Sequence, residues 1–216
     1  MALVQPRIPP PLEAGLAVLR SLTELEGPHD LAAARAAVVA ARPGGPGHEA
    51  SRRQILAFID DHPDALHRSC TIGHLTGSAA VIDPSTRHVL LLFHAKVQRW
   101  LQPGGHADGD GNLARVALRE AEEETGIEGL RVLTPAIDLD VHVFHNATRA
   151  EPDHLHLDVR HLVVAPAGAI VRGNEESEGL RWCSLEDAAS LDVDLGTLRM
   201  VRAALDALDA LGDRHG

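Results

Sequence analysis

The chain has 216 residues, 44% hydrophobic and 24% charged, which suits one sizeable core and argues against wholesale disorder. A formal net charge of -11 disfavours nucleic-acid polymers and anionic membranes as partners, because both repel acidic surfaces. A small phosphorylated ligand stays open, since a divalent cation can neutralise a carboxylate-lined cleft.

Pro6, Pro9, Pro10 and Pro11 stand where a signal peptide needs an apolar core, and no apolar run is long enough to span a bilayer. Cys70 and Cys183 form neither a CxxC pair nor a disulfide framework, so a cytoplasmic protein is expected. Next, Leu12 to Ala41 is rich in Ala, Leu, Arg and Glu at helical spacing and predicts two helices broken near Gly27-Pro28. The stretch from Arg42 through Pro43, Gly44, Gly45 and Pro46 to Gly47 reads as a linker, and a further helix covers Ser51 to Asp60, ending before Pro63.

From Ile72 the texture changes to short apolar runs. Ala79–Ile82 and Val89–Phe93, separated by Asp83-Pro84-Ser85, predict a hairpin. After a central helix come strand-like runs at Ala136–Phe144, Leu155–Ala165 and Leu180–Cys183, then helices at Leu185–Ser190 and Thr197–Leu211. This order implies an α/β or α+β domain with a mixed sheet over residues 71–216, preceded by a helical extension over 1–70. The N-terminal helices either pack on that domain or pair with a second subunit, giving a homodimer.

The central stretch carries the chemistry. A glycine-dense loop, Gly104-Gly105-His106-Ala107-Asp108-Gly109-Asp110-Gly111, precedes a helix capped by Asn112 and ended by Gly126. Glu120, Glu123 and Glu124 stand at i, i+3 and i+4 and share one helical face, while Leu113, Val116, Ala117 and Ala121 face the sheet. Three carboxylates so placed repel one another unless a cation joins them, and hard oxygen donors suit Mg²⁺ or Mn²⁺. On its own, such a cluster is more commonly a solvated acidic face.

Together, the loop and Arg119-Glu120-Ala121-Glu122-Glu123-Glu124-Thr125-Gly126-Ile127 resemble the Nudix box, Gly-x5-Glu-x7-Arg-Glu-U-x-Glu-Glu-x-Gly-U with U aliphatic. Gly105, Arg119, Glu120, Glu123, Glu124, Gly126 and Ile127 match in register; the first Glu falls on Gly111, where Asp108 or Asp110 would have to substitute. The resemblance implies an α/β/α sandwich and a Mg²⁺-dependent hydrolase cleaving a phosphoanhydride bond in a small nucleotide-like substrate, such as ADP-ribose or a nucleotide sugar. It further implies Gly104, Glu120, Glu123 and Glu124 as metal ligands, with Arg119, Glu120 and Glu123 as catalytic residues. An additional acid or base is expected from the acidic loop holding Glu175, Glu176 and Glu178.

Other readings are a nucleoside triphosphate pyrophosphohydrolase and a non-catalytic nucleotide-binding module. An isoprenoid diphosphate isomerase is disfavoured, because neither cysteine has the required context.

Histidine is abundant, and His154, His156, Asp158 and Arg160 alternate with Leu155, Leu157 and Val159, so a strand here presents one polar face. That face is expected to line the substrate cleft, with Arg160 on phosphate. His106, directly after the box glycines, is a further substrate-binding candidate, and His74 opens the first strand. A zinc site from His154 and His156 is weighed against simple hydrogen bonding, which is preferred. Trp100 and Trp182 are the candidates for stacking on a base.

Overall fold

The computed structural model describes residues 17–42, 47–95, 98–145, 152–174 and 177–212. The expected linker at positions 43–46, positions 12–16 of the expected first helix, and Glu175 and Glu176 lie outside the described residues.

Nine strands form one open mixed sheet. In chain order they are β1 (Val18–Arg20), β2 (Gly73–Asp83), β3 (His88–His94), β4 (Arg99–Leu101), β5 (Gly104–His106), β6 (Arg131–Thr134), β7 (Asp138–Phe144), β8 (His154–Val164) and β9 (Ser177–Cys183). The helices are α1 (Leu31–Ala40), α2 (His48–Asp61), α3 (Leu113–Thr125), α4 (Leu185–Ser190) and α5 (Leu195–Gly212). The path β1-β6-β8-β2-β3-β4 is centred on the parallel pair β2 and β8, in register from Gly73 opposite Leu155 to Ile82 opposite Val164. The other pairings are antiparallel: β7 continues along the β8 edge that β6 begins, β5 borders β2, and β9 borders β3.

Alternation along the two central strands sorts the core. Leu157 and Val159 pack with Leu113 and Val116 of α3 and with Val38, Ile55 and Ile59 of α1 and α2. Val163, Ala79 and Val81 pack with Ala117, Leu118 and Ala121 of α3. From the opposite face, Leu162, Ala80 and Ile82 meet Met200, Val201 and Ala204 of α5. The result is a helix–sheet–helix sandwich in which each fully buried large aliphatic side chain contributes roughly 1.5–3 kcal/mol. The amphipathic spacing read from α3 therefore becomes its packing face. Its caps form as expected: Asn112 accepts from the Arg115 amide at 3.2 Å, and Gly126 ends the helix at φ 63°.

The N-terminal segment departs from expectation. Where the first of two helices was predicted, the chain forms β1 and a short 3-10 turn over Leu22–Glu24. Tertiary pairing overrides helix propensity here, because β1 lies antiparallel to β6, with Leu19 opposite Leu133. The Ser21–Glu24 capping box tightens the turn that follows. The described part of the extension packs on its own sheet, α2 resting against β7. The run predicted as one strand at Ala136–Phe144 begins at Asp138, and β6 precedes it unforeseen.

Candidate active site

Between the α3 glutamates and the polar face of β8 lies a cleft of about 250 Å³. Its walls include Gly104, Gly105 and His106 of β5, Glu120 and Glu124 of α3, Thr76 and Ser78 of β2, and His156, Asp158 and Arg160 of β8. Strand register brings these together: His106 stands opposite Thr76 and Gly104 opposite Ser78, while Thr76 in turn stands opposite Asp158.

Glu120 and Glu124 converge on the β5 backbone. The Gly104 amide donates to Glu124 Oε2 at 2.9 Å, and Glu124 is buried. Glu120 lies so close to Gly105 that a Cβ at that position would land on its carboxylate. Arg119 Nη2 donates to Glu120 Oε1 at 2.6 Å, restraining the rotamer, and Arg119 Nε is 3.9 Å from Glu123 Oε1. Glu123 itself is exposed at 61% and takes no part in the cleft wall. Glu178 accepts a 3.3 Å hydrogen bond from Gln98 and is likewise absent from the wall.

Gly111 has a steric reason. Its amide donates to the His29 carbonyl at 2.5 Å, and a Cβ there would overlap the Asp30 carbonyl. The N-terminal segment occupies the place a side chain would need. Neither expected substitute bonds Arg119. Asp108 is held by Arg68 at 2.9 and 2.7 Å, and Asp110 by Arg115 at 2.6 Å and His29 at 2.7 Å.

The floor of the cleft is a buried ionic network. Arg160 donates to Asp158 at 2.6 Å, Asp138 at 3.2 Å and Asp140 at 3.0 Å. Thr76 and Ser78 hydroxyls donate to Asp158 at 2.8 and 2.9 Å, and Arg199 reaches Asp138 and Asp140 from α5. Burial opposes the charge on Arg160, yet the three carboxylates outweigh it and push its pKa up. Asp140 is likewise desolvated, but the His142 hydrogen bond, Arg160 and Arg199 hold it well below the usual carboxylate range. These carboxylates take three of the five Arg160 N–H donors and brace the floor, while Arg160 itself still borders the cleft.

Burial lowers two histidines of the cleft wall. It takes His156 down to about 2, helped by neighbouring imidazoles, and His106 to about 4, helped by Arg68. His154 is buried against His74 and His156 and does not reach the cleft wall.

Sequence reasoning missed several wall residues. Phe144 stacks on His156 with centroids 4.7 Å apart and 11° between planes, and His142 lies beside them. Both are legible by the alternation used for β8, since Asp140, His142 and Phe144 stand opposite Asp158, His156 and His154. Arg68, His94, Gln102 and Asp194 also border the cleft and carry no local pattern. The tryptophans proposed as base platforms lie elsewhere: Trp100 packs edge-on against Phe93, and neither tryptophan is in the wall.

A mixed sheet between helices, with the glycine strand β5 pressed against helix carboxylates, builds a cleft suited to a divalent cation and a phosphorylated ligand. The chain belongs to the Nudix family: the NUDIX domain model matches residues 74–204. The asymmetrical bis(5'-nucleosyl)-tetraphosphatase of Mus musculus is 31% identical over 111 residues, covering 51% of this chain and 73% of that protein. Among solved structures, a C. elegans Ap4A hydrolase binary complex superposes with a TM-score of 0.51 at 19% identity, covering 63% of this chain and 98% of that one. The NUDIX domain of Shewanella oneidensis NrtR, complexed with ADP ribose, gives 0.50 at 15%, covering 70% and 97%. These two show likeness of fold. Among the described residues no helix is long and apolar enough to cross a membrane.

Proposed function

We propose that this enzyme hydrolyses a phosphoanhydride bond in a small nucleoside diphosphate-linked substrate, such as ADP-ribose or a nucleotide sugar, with Mg²⁺ as cofactor and Mn²⁺ as a substitute. The observation that carries this reading is the approach of Glu120 and Glu124 to the Gly104–Gly105 backbone inside the cleft. The donor set fits a hard divalent ion, being carboxylates plus a backbone carbonyl, and the absent Gly105 side chain leaves room for it. Gly104, Glu120 and Glu124 would hold the ion, with Glu123 acting through water from its exposed position. When bound, Mg²⁺ neutralises charge that builds on the diphosphate oxygens.

The chain's own groups supply the rest. Arg119 restrains the Glu120 carboxylate, which would accept a proton from attacking water. His106 and His156, held neutral by burial, offer hydrogen bonds to the substrate. Asp158 positions β2 and β8, Arg160 at the cleft wall would offer its remaining N–H donors to phosphate, and His154 backs His156. Of the acidic-loop candidates, Glu175 and Glu176 remain proposals for an extra base; Glu178 is tied to Gln98. The stacked Phe144–His156 pair offers the aromatic surface for a base. A cytoplasmic location agrees with two unpaired, buried cysteines.

The mouse relative supports a second reading, a dinucleoside polyphosphate as substrate. A panel of ADP-ribose, nucleotide sugars, dinucleoside polyphosphates and nucleoside triphosphates, each with Mg²⁺, decides between them by the phosphate or mononucleotide released. Glu120→Gln and Glu124→Gln should each lower turnover by at least about 100-fold, several kcal/mol of transition-state stabilisation. Turnover unaffected by either substitution removes the helix from the mechanism. Ligand-induced thermal stabilisation with no turnover favours a binding module instead.

A further inference from the structure

Four histidines converge beside the glutamate pair without being used by it: His74 on β2, His106 at the end of β5, and His154 and His156 on β8. One ligand atom from each lies within 4.8 Å of every other. His154 Nε2 and His156 Nε2 are 3.2 Å apart. The sheet places them, since β2 and β8 run parallel with His74 directly opposite His156, and β5 brings His106 alongside.

Hydrogen bonding accounts for only half of these nitrogens. His154 Nδ1 lies 2.9 Å from the Pro152 carbonyl and His74 Nδ1 lies 3.5 Å from the Cys70 carbonyl. A carbonyl only accepts, so in both rings Nδ1 carries the proton and Nε2 of the neutral ring presents a lone pair to the cluster. His74 Nε2 is buried and has no hydrogen-bond partner, in a residue only 4% exposed. An acceptor left so destabilises the fold unless a ligand satisfies it. Nδ1 bonded to backbone oxygen with Nε2 turned inward is the outer-shell pattern of metal-binding histidines.

We propose that His74, His106, His154 and His156 hold one first-row transition-metal ion of the zinc class, at an all-imidazole site separate from the glutamate pair. Two nitrogens each about 2.0–2.1 Å from a tetrahedral ion stand about 3.3–3.4 Å apart, close to the 3.2 Å between the Nε2 atoms of His154 and His156. Imidazole selects zinc, copper, nickel or iron, whereas the Glu120–Glu124 side selects harder ions, so one cleft holds two sites of different taste. Because His106 directly follows Gly105, ligation pins β5 to β2 and β8 and fixes the glycine backbone facing Glu120.

The test uses the tag-free, full-length chain stripped with a chelator and titrated with Co²⁺, read by visible absorption. About one equivalent should bind with the intense bands of a tetrahedral nitrogen site and resist excess Mg²⁺. His74→Gln and His154→Gln, made singly, should each weaken that binding by at least about 100-fold, whereas Glu120→Gln leaves the spectrum unchanged. Zn²⁺ alone should raise the melting temperature of the stripped wild type. It should also protect His106 and His156 from carbethoxylation, mapped by mass spectrometry, a readout independent of whether a variant folds. No tetrahedral band in the wild type, a band that survives the histidine variants, or protection falling on other histidines overturns the site.

Discussion

Replacing Gly111 by alanine adds one methyl group, and that methyl overlaps the Asp30 carbonyl. Gly111 is outside the left-handed region, so space rather than backbone conformation is at issue. To relieve the overlap, the segment through His29 and Asp30 must lift. Three interactions then weaken: the 2.5 Å bond from the Gly111 amide to the His29 carbonyl, the Asp30 cap on the Ala33 amide at 2.9 Å, and the His29–Asp110 contact. A backbone hydrogen bond contributes about 1 kcal/mol, a helix cap about 1, and a half-exposed side-chain contact under about 1. The expected loss is about 2–3 kcal/mol, or roughly 5–10 °C in melting temperature for a chain of this size. Urea and thermal unfolding followed by circular dichroism measure it. Gly111→Glu, which restores the family motif, should destabilise at least as much and bring no gain in turnover. The motif alone anticipates the opposite. An alanine variant within about 0.5 kcal/mol of wild type would refute the steric account.

Gly105→Ala separates activity from stability. Its methyl meets only the carboxylate end of the Glu120 side chain, so unfolding should change little while turnover falls at least tenfold, as steady-state kinetics will show. Arg160→Leu leaves buried Asp138 and Asp158, and half-buried Asp140, with too little positive charge, and should cost about 3–5 kcal/mol in urea denaturation. His161 is fully buried and burial lowers it to about 4, against 6.5 for a free imidazole. The unfolded chain therefore takes up this proton first as pH falls. The stability it contributes is complete above about pH 6.5 and is lost progressively down to about pH 4, roughly 3 kcal/mol in all. His161→Gln should flatten the stability–pH curve within that window, and a slope equal to wild type contradicts the assignment.

Much of this was legible in sequence because it is local. The α3 carboxylates, its caps and its apolar stripe follow from a 3.6-residue period. The polar face of β8 follows from a period of two, and the same reading applied to Asp140, His142 and Phe144 would have found the adjoining wall.

What stayed hidden depends on chain segments far apart in sequence. Residues 18–20 are a strand only because β6 offers an edge, so their helix propensity loses to pairing. Alternation puts Arg160 on the cleft face, but not the carboxylates that brace it there, Asp138 and Asp140 from β7 and Asp158 from its own strand. Gly111 reads as a defect until the backbone at His29–Asp30 is seen lying across it. The ordered box motif pointed to the family and the 3.6-residue period to the acidic helix face, because both are written within one loop-and-helix unit. Which charges are already spent, and which histidines meet, was decided only when parallel β2 and β8 closed the sheet, since those distances depend on strand register.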